Sequence, residues 1–110
     1  MGAIKTGAYS SVQETLALLA KALGHPARIS IIQELASQQS CQCGELAERI
    51  GLAQSTVSQH LKELKNAGII KGSIEASKPC YCLSAEGLQA LQEFLNSVIQ
   101  SDNTVLKTCC

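Results

Sequence analysis

The stretch ELAERIGLAQSTVSQHLKELKNA, residues 45–67, decides the fold of this 110-residue chain. Its first part predicts a short helix over 45–50, which ends at Gly51, a residue type that commonly terminates helices. After a tight connection, the segment 54–67 predicts a longer helix with one narrow apolar stripe. Small polar and basic side chains occupy the opposite side of that helix. A helix of this kind is suited to lie in a groove.

The sequence on either side of this stretch predicts two helices before it, and a hairpin and a helix after it. Apolar residues at three- and four-residue spacing place the first two helices at 11–23 and 26–37. Two short β-prone runs, 69–74 and 80–83, predict the hairpin. An apolar repeat after the capping residue Ser84 predicts the final helix.

This order of elements is typical of a winged helix-turn-helix, a mainly α fold with a small β-hairpin. The short helix and the polar-faced helix form the helix-turn-helix, and the second of them enters the major groove in proteins of this fold. We expect residues 11–100 to form a DNA-binding and dimerisation domain. Residues 1–10 are expected to be a flexible arm, and 101–110 a flexible tail that ends in cysteines.

Composition and charge agree with a helical domain that contacts nucleic acid. Hydrophobic residues make up 45% of the chain and aromatic residues 3%, as in an aliphatic-cored protein rather than a disordered or β-rich one. The net charge is zero, yet residues 49–82 carry five basic side chains against two acidic ones. A solvated charged face would account for the same charges, so charge alone does not identify the partner.

The sequence contains no secretion signal and no apolar run of about 20 residues. We therefore expect a cytoplasmic protein with no membrane partner, whose thiols are normally reduced. A disulfide framework is disfavoured for the same reason, and because the amphipathic helices already supply a core.

The polar side of the helix at 54–67 carries the candidate DNA contacts. Side chains that both donate to and accept from base edges lie near its beginning, and the best candidates are Gln54, Ser55, Thr56, Ser58 and Gln59. Lysines are better suited to phosphates, and those expected to bind them are Lys62, Lys65, Lys71 and Lys78. His60 adjoins the apolar Leu61, so it either contacts DNA or packs at the edge of the helix.

Three segments of the chain resemble the signature of the ArsR/SmtB family of small dimeric repressors. They are Ala22-Leu23-Gly24-His25-Pro26-Ala27-Arg28, Gly44-Glu45-Leu46-Ala47 and the run from Gln54 to Leu64. The resemblance covers nearly all of the chain outside the arm and the tail. It implies a homodimer, formed by the first and last helices, that binds a near-palindromic operator in double-stranded DNA. The residues expected at the dimer interface are Val12, Leu16, Leu19, Leu91, Leu95 and Val98.

Six cysteines form three close pairs, which are Cys41 and Cys43, Cys80 and Cys82, and Cys109 and Cys110. Arsenic-sensing members of the family carry a Cys-x-Cys before the short helix, and the first pair resembles a variant of it. The variant departs in two ways. Counted back from Leu46, Cys43 lies one position further out, and Ala47 stands where some members have a third cysteine. Trivalent arsenic or antimony, the inducer that the resemblance implies, prefers three thiolates.

The pair on the predicted hairpin offers another set of sulfur ligands. Cys80 and Cys82 alternate with Tyr81 and Leu83, which by pattern face the core, so both thiols should point outward. The terminal pair lies on a tail long enough to reach either of the other pairs. We therefore favour a site of Cys80 and Cys82 completed by Cys109 or Cys110, with Cys41 and Cys43 as an alternative or second site.

The leading functional hypothesis is a repressor that leaves its operator when trivalent arsenic or antimony binds cysteine thiolates. The alternative within gene regulation is a persulfide-responsive or redox-responsive repressor that uses cysteine pairs. The alternative from another class is a soft-metal carrier or thiol oxidoreductase. Against that class stands the absence of a Cys-x-x-Cys and of a thioredoxin-like βαβ pattern. The sequence contains no catalytic constellation, so an enzyme is not expected.

Overall fold

The structure, a computed structural model, describes residues 7–37, 46–73 and 80–101. These ranges contain five helices and one two-stranded antiparallel sheet. In chain order the elements are α1 (Ser11–Leu23), α2 (Pro26–Ala36), α3 (Leu46–Ile50), α4 (Gln54–Asn66), β1 (Ile70–Ser73), β2 (Cys80–Leu83) and α5 (Ala85–Ser101). Helices α3 and α4 form the helix-turn-helix, and β1 with β2 forms the wing. The predicted winged helix-turn-helix is therefore confirmed.

The helix ends differ from the predictions by about one residue, the usual scatter at fraying ends. Helices α2 and α4 each end one residue earlier than predicted, because Ser37 and Ala67 act as C-caps whose backbone N–H groups still bond back into the helix. Glu45, predicted to begin the short helix, lies outside the described residues.

Helix α1 begins at a capping box that the sequence-based prediction did not identify. The Ser10 hydroxyl accepts a hydrogen bond from the backbone N–H of Gln13 at 3.1 Å. In return, the Ser10 backbone N–H donates to Gln13 Oε1 at 2.9 Å. Two backbone groups at the end of the helix are thus satisfied by one pair of residues, which explains why α1 starts at Ser11.

The core is built from aliphatic side chains and one tyrosine. Its buried residues are Leu19, Ala22, Ile31, Leu35, Leu46, Ala47, Val57, Leu61, Leu64, Ile69, Ile70 and Tyr81. The narrow stripe of α4, which is Val57, Leu61 and Leu64, is 0% exposed at each position. Because this stripe is buried against the rest of the domain, the polar side of α4 faces outward.

Leu19, predicted at the dimer interface, belongs to the core of a single chain. Only 3% of its surface is exposed within one chain. Helix α1 has apolar residues on more than one side, and Leu19 packs on the core whereas Val12 is 65% exposed. Helical spacing alone does not distinguish these two sides, so the sequence did not reveal that Leu19 is buried within one chain.

The turn of the helix-turn-helix depends on Gly51. Its backbone N–H donates to the Ala47 carbonyl at 2.9 Å, and the N–H of Leu52 donates to the same carbonyl at 3.2 Å. Gly51 has a φ of 82°, a conformation that a side chain disfavours. The chain therefore leaves α3 sharply, and α4 begins at Gln54, three residues after Gly51. Within the described ranges, no helix combines the length and apolar character needed to cross a membrane.

Candidate DNA-binding interface and thiol site

The outward side of α4 presents most of the residues predicted to contact DNA. The exposed members are Gln54, Ser55, Thr56, Gln59, Lys62 and Lys65. Ser58 and His60 are half-buried at the edges of this surface. The structure thus brings eight of the predicted contact residues onto one helix, in the position that enters the major groove in this fold.

Hydrogen bonds along α4 hold two of its amide side chains in place. Gln54 Nε2 donates to Ser58 Oγ at 3.3 Å, and Gln59 Nε2 donates to Glu63 Oε2 at 3.4 Å. Each amide retains a carbonyl oxygen and a second N–H, which is the donor and acceptor pair that matches the edge of adenine. The side chains of the two glutamines are therefore partly oriented before the protein binds DNA.

The N-terminus of α4 adds a feature that the sequence-based prediction missed. Ala53 is the N-cap residue, and its methyl group cannot accept a hydrogen bond from the first-turn N–H groups. These N–H groups and the positive end of the helix dipole face outward beside Gln54 and Ser55. Such a helix end favours a phosphate group. The signal in the sequence is an alanine where a Ser, Thr, Asp or Asn cap is usual.

The wing supplies one further described cation and one thiol. Lys71 lies on β1 directly opposite Cys82 on β2. Lys71 is exposed and Cys82 is half-buried. Residues that face each other across an antiparallel pair project their side chains from the same face of the sheet. A cysteine is thus the cross-strand neighbour of a lysine predicted to bind phosphate. Lys78, also predicted to bind phosphate, lies outside the described residues.

Burial along β2 agrees with the predicted alternation of its side chains. Tyr81 is 1% exposed and belongs to the core, and Leu83 packs against the core. Cys82, between them, is on the other face, although it is half-buried rather than fully exposed.

The remaining predicted thiol ligands are the five cysteines other than Cys82. Cys80 is described only as the first residue of β2, opposite Ser73. The four other cysteines, Cys41, Cys43, Cys109 and Cys110, lie outside the described residues. In the parts of the chain that the structure describes, no three His, Cys, Asp or Glu side chains are grouped as metal ligands.

His60 is held by a residue from another helix, which sequence reasoning did not anticipate. Its Nδ1 accepts a hydrogen bond from Arg28 Nε at 3.1 Å. The His25 ring lies beside it, with 4.6 Å between the ring centroids. Burial of the ring, and then the electrostatic influence of His25 and Arg28, lower the pKa of His60 from its usual value. No spacing rule connects Arg28 with His60, because 32 residues separate them.

An apolar surface covers the side of the molecule formed by α1 and α5. Its exposed residues are Val12, Phe94, Leu95, Val98 and Ile99. Leu16 and Leu91, also predicted at a dimer interface, are half-buried between the two helices. Contiguous apolar surface of this kind marks an interaction site in a soluble protein.

Fold and site together define a DNA-binding transcriptional regulator of the winged helix-turn-helix class. A family model described as a helix-turn-helix domain matches residues 23–72. The regulator YgaV of Escherichia coli K12 is 33% identical over 89 residues, which cover 81% of this chain and 89% of YgaV. The regulator CmtR of Mycobacterium tuberculosis is 34% identical over 91 residues, which cover 82% of this chain and 76% of CmtR.

Solved structures support the same assignment. HlyU from Vibrio cholerae is 28% identical, with a TM-score of 0.63 and coverage of 86% of this chain and 100% of HlyU. HlyU of this organism has also been solved as the reduced protein, at 29% identity and a TM-score of 0.58, over 80% of this chain and 92% of that one. A homodimeric winged helix-turn-helix domain from Mycobacterium bovis, a possible ArsR-family regulator, shares the fold at a TM-score of 0.64 and 22% identity, over 93% and 95% of the two chains. This chain belongs to the ArsR/SmtB family of transcriptional regulators.

Proposed function

We propose that this regulator is a repressor that leaves its operator when trivalent arsenic or antimony binds cysteine thiolates, with Cys82 among the ligands. The observation that carries the proposal is the pairing of Cys82 with Lys71 across the wing. A ligand bound to the thiol changes the surroundings of the lysine on the same face of the hairpin. Binding at sulfur is thereby coupled to a contact with the DNA backbone.

The chemistry of the cysteines fits such an inducer. Thiolates are soft ligands, and trivalent arsenic prefers three of them. Cys80 precedes Cys82 by two residues on β2, a spacing that puts both on one face of a strand. The third sulfur is assigned to Cys109 or Cys110, with Cys41 and Cys43 as the alternative pair. An inducer acts only by binding one conformation more tightly, so the ligated wing must disfavour the DNA-bound arrangement.

The roles of the α4 side chains follow from their chemistry and exposure. We assign Gln54, Ser55, Thr56, Ser58 and Gln59 to base edges. Lys62, Lys65 and Lys71, together with Lys78, are assigned to phosphates, which fix the position of the protein without sequence information.

A two-fold dimer completes the proposed DNA-binding unit. One domain of this size contacts too little DNA for tight specific binding, so a second copy on an adjacent half-site is required. The apolar surface of α1 and α5 is assigned to this dimer, in agreement with the homodimeric domain of Mycobacterium bovis that shares the fold. Val12, Leu95 and Val98 are assigned to the centre of the interface.

Titration with arsenite tests the inducer directly. A labelled duplex is first enriched by the reduced protein from a random-sequence pool, and its release is then followed by fluorescence anisotropy. We expect arsenite to release the duplex from the wild type and not from Cys82→Ser. Arsenate is the matched control ion, because its arsenic is already fully coordinated by oxygen. Unchanged affinity at saturating arsenite would rule the proposal out.

A second candidate is a repressor that responds to persulfides or oxidants. It is favoured by the relative HlyU, which has been solved in a state named as reduced. In this candidate two neighbouring thiols become joined through one or more sulfur atoms, and the two electrons and two protons pass to the oxidant. Mass spectrometry after persulfide treatment separates the candidates, since only this one requires an increase in mass by whole sulfur atoms together with release of DNA.

A further inference from the structure

A polar cluster joins the start of α2 to the recognition helix α4. Arg28 is its centre. The Nε of Arg28 donates to His60 Nδ1 at 3.1 Å, and its Nη1 donates to the Ala22 carbonyl at 3.3 Å. One guanidinium thus bridges α1, α2 and α4 through directional bonds. The aliphatic stripe of α4 also packs on the core, but apolar packing has no comparable directionality.

The hydrogen bonds determine the protonation state of His60. A guanidinium only donates, so Nδ1 of His60 must carry a lone pair and its proton must lie on Nε2. His25 Nδ1 likewise accepts, in its case from the backbone N–H of Ala27 at 3.0 Å. The His60 imidazole is therefore neutral when the bond to Arg28 is made.

Protonation of His60 removes this bond. An imidazolium carries a proton on both nitrogens, so Nδ1 can no longer accept from Arg28. The new positive charge also lies beside Arg28 and the His25 ring. Lys21 of α1 and Glu63 of α4 line the cleft that Arg28 borders, and they are the other charged groups of this region. Burial, and then the neighbouring His25 and Arg28, already lower the pKa of His60.

The position of His60 on α4 connects this chemistry to DNA. It directly follows Gln59, a proposed base contact, and directly precedes Leu61, which is 0% exposed. A bond at this point sets the rotation of the helix about its axis and hence the direction of the outward side chains. We propose that the Arg28–His60 hydrogen bond is a pH-sensitive latch that holds α4 in its DNA-binding orientation. His60 is then a positioning residue and not a base contact.

The proposed latch rests on DNA binding by this protein and does not depend on its proposed response to thiol ligands. Measuring affinity against pH tests it, with reduced protein, no arsenical, fixed salt and the duplex enriched from a random pool. We expect wild-type affinity to fall by about tenfold from about pH 7.5 to about pH 5.5, comparable to the loss of one charge-assisted hydrogen bond. Carboxylates with ordinary pKa values near 4 remain ionised in this window.

Three variants identify the group responsible. His60→Asn retains an acceptor, because Asn Oδ1 is attached to Cγ as Nδ1 is, and it does not titrate. Its DNA affinity at about pH 7.5 should lie within about threefold of the wild type, a difference in free energy smaller than one hydrogen bond contributes. Its affinity should not change with pH. His60→Leu should bind weakly at both pH values. His25→Asn is the matched control, since it still accepts from Ala27 N–H, and it should retain the wild-type dependence on pH.

Two results would overturn the latch. One is a folded His60→Asn variant whose DNA affinity depends on pH as that of the wild type does. The other is a folded His60→Leu variant that binds DNA as tightly as the wild type at about pH 7.5. Far-UV circular dichroism establishes folding in each case. If His60→Leu does not fold, the pH profile of DNA affinity in His60→Asn tests the latch alone. A histidine with a purely structural role would give no pH dependence of affinity, so the asparagine would have none to remove.

Discussion

Gly87 in the first turn of α5 lies directly against the backbone carbonyl of Gly68, the residue that follows the C-cap of α4. A Cβ added at Gly87 would overlap the Gly68 carbonyl oxygen, lie 3.0 Å from its carbon and 3.5 Å from the Ile69 Cα. Just before it, the Ser84 backbone N–H donates to the Ile69 carbonyl at 2.8 Å. The last helix is therefore attached by close backbone contact to the end of the recognition helix, so the surface that we propose for the dimer and the DNA-binding helix are joined at one point.

Gly87→Ala should destabilise the domain. Alanine favours helix by about 1 kcal/mol over glycine, but here its Cβ meets backbone that no rotamer change can move. The net expected loss in free energy of unfolding is about 1–3 kcal/mol, measured by urea denaturation. Gly24→Ala is the matched control, because its Cβ would lie 3.4 Å from the Lys21 carbonyl oxygen, an ordinary contact. Equal free energies of unfolding for the two variants would contradict a constraining contact between Gly87 and the Gly68 backbone.

Lys62→Gln should weaken binding to all DNA sequences to a similar extent. Lys62 is exposed on the outward side of α4, where a phosphate contact releases a counterion from DNA. The slope of log affinity against log salt should decrease by about 1 in magnitude. Lys21→Gln, an exposed lysine on α1, is the control and should leave the slope unchanged. A smaller slope in both variants would mean that net charge, and not a contact of α4, sets the salt dependence.

Gln59→Ala should reduce discrimination between sequences. Its amide is hydrogen-bonded to Glu63 and exposed on the outward side of α4, where we propose that it contacts a base edge. Loss of a good bidentate contact costs about 1–3 kcal/mol of discrimination at one base pair, which competition with single-site variant duplexes measures. Affinity for a scrambled duplex should not change. Gln33→Ala, at an exposed position of α2, is the control. The assignment of Gln59 fails if both variants discriminate between DNA sequences equally well.

The sequence predicted most of the fold because each element has a local signal. The stripe of α4 and the glycine turn before it are determined by neighbours within a few residues, and both were found in the structure. The burial of Leu19 within one chain was not predicted, because packing across the domain, and not spacing, decides which surface a residue of α1 joins. Ser10 was missed although the Ser-x-x-Gln signal of a capping box is local.

The candidate site was predictable only in part, for a related reason. The outward residues of α4 follow from helical periodicity once the stripe is known. The bond from Arg28 to His60 joins two helices whose relative placement depends on packing across the whole core. For the same reason, the sequence predicted which face of β2 carries Cys82 but not how exposed this cysteine is, since alternation along β2 does not reveal what covers that face.

The stability of the domain should depend on pH through His60. Its pKa is lowered in the folded state, by burial first and then by His25 and Arg28, so folding favours the neutral ring. The unfolded chain binds the proton more readily, and the stabilising effect is complete above the unfolded value of about 6.5. It is lost as pH falls from there through the lowered pKa. The free energy of unfolding of His60→Asn, measured against pH, should lack this decrease, whereas His25→Asn should keep most of it, because burial of His60 is the largest cause.

Leu95→Glu should prevent dimerisation and thereby DNA binding. Leu95 is 53% exposed on the apolar surface shared by α1 and α5, next to Phe94 at 44%. A carboxylate buried without a partner costs several kcal/mol, whereas the same group on a monomer surface remains in water. Sedimentation velocity should therefore show a folded monomer, with operator affinity reduced at least about a hundredfold because one half-site supplies too few contacts.

Gln89→Glu is the matched control for this dimer prediction. It adds the same charge to the same helix at an exposed position that helical periodicity separates from the apolar stripe. It should remain dimeric and bind DNA like the wild type, apart from a small general effect of charge. If Leu95→Glu sediments as a dimer, the α1 and α5 surface is not the dimer interface, and its apolar residues must contact something else. If both variants are monomeric, net charge and not the apolar surface controls assembly.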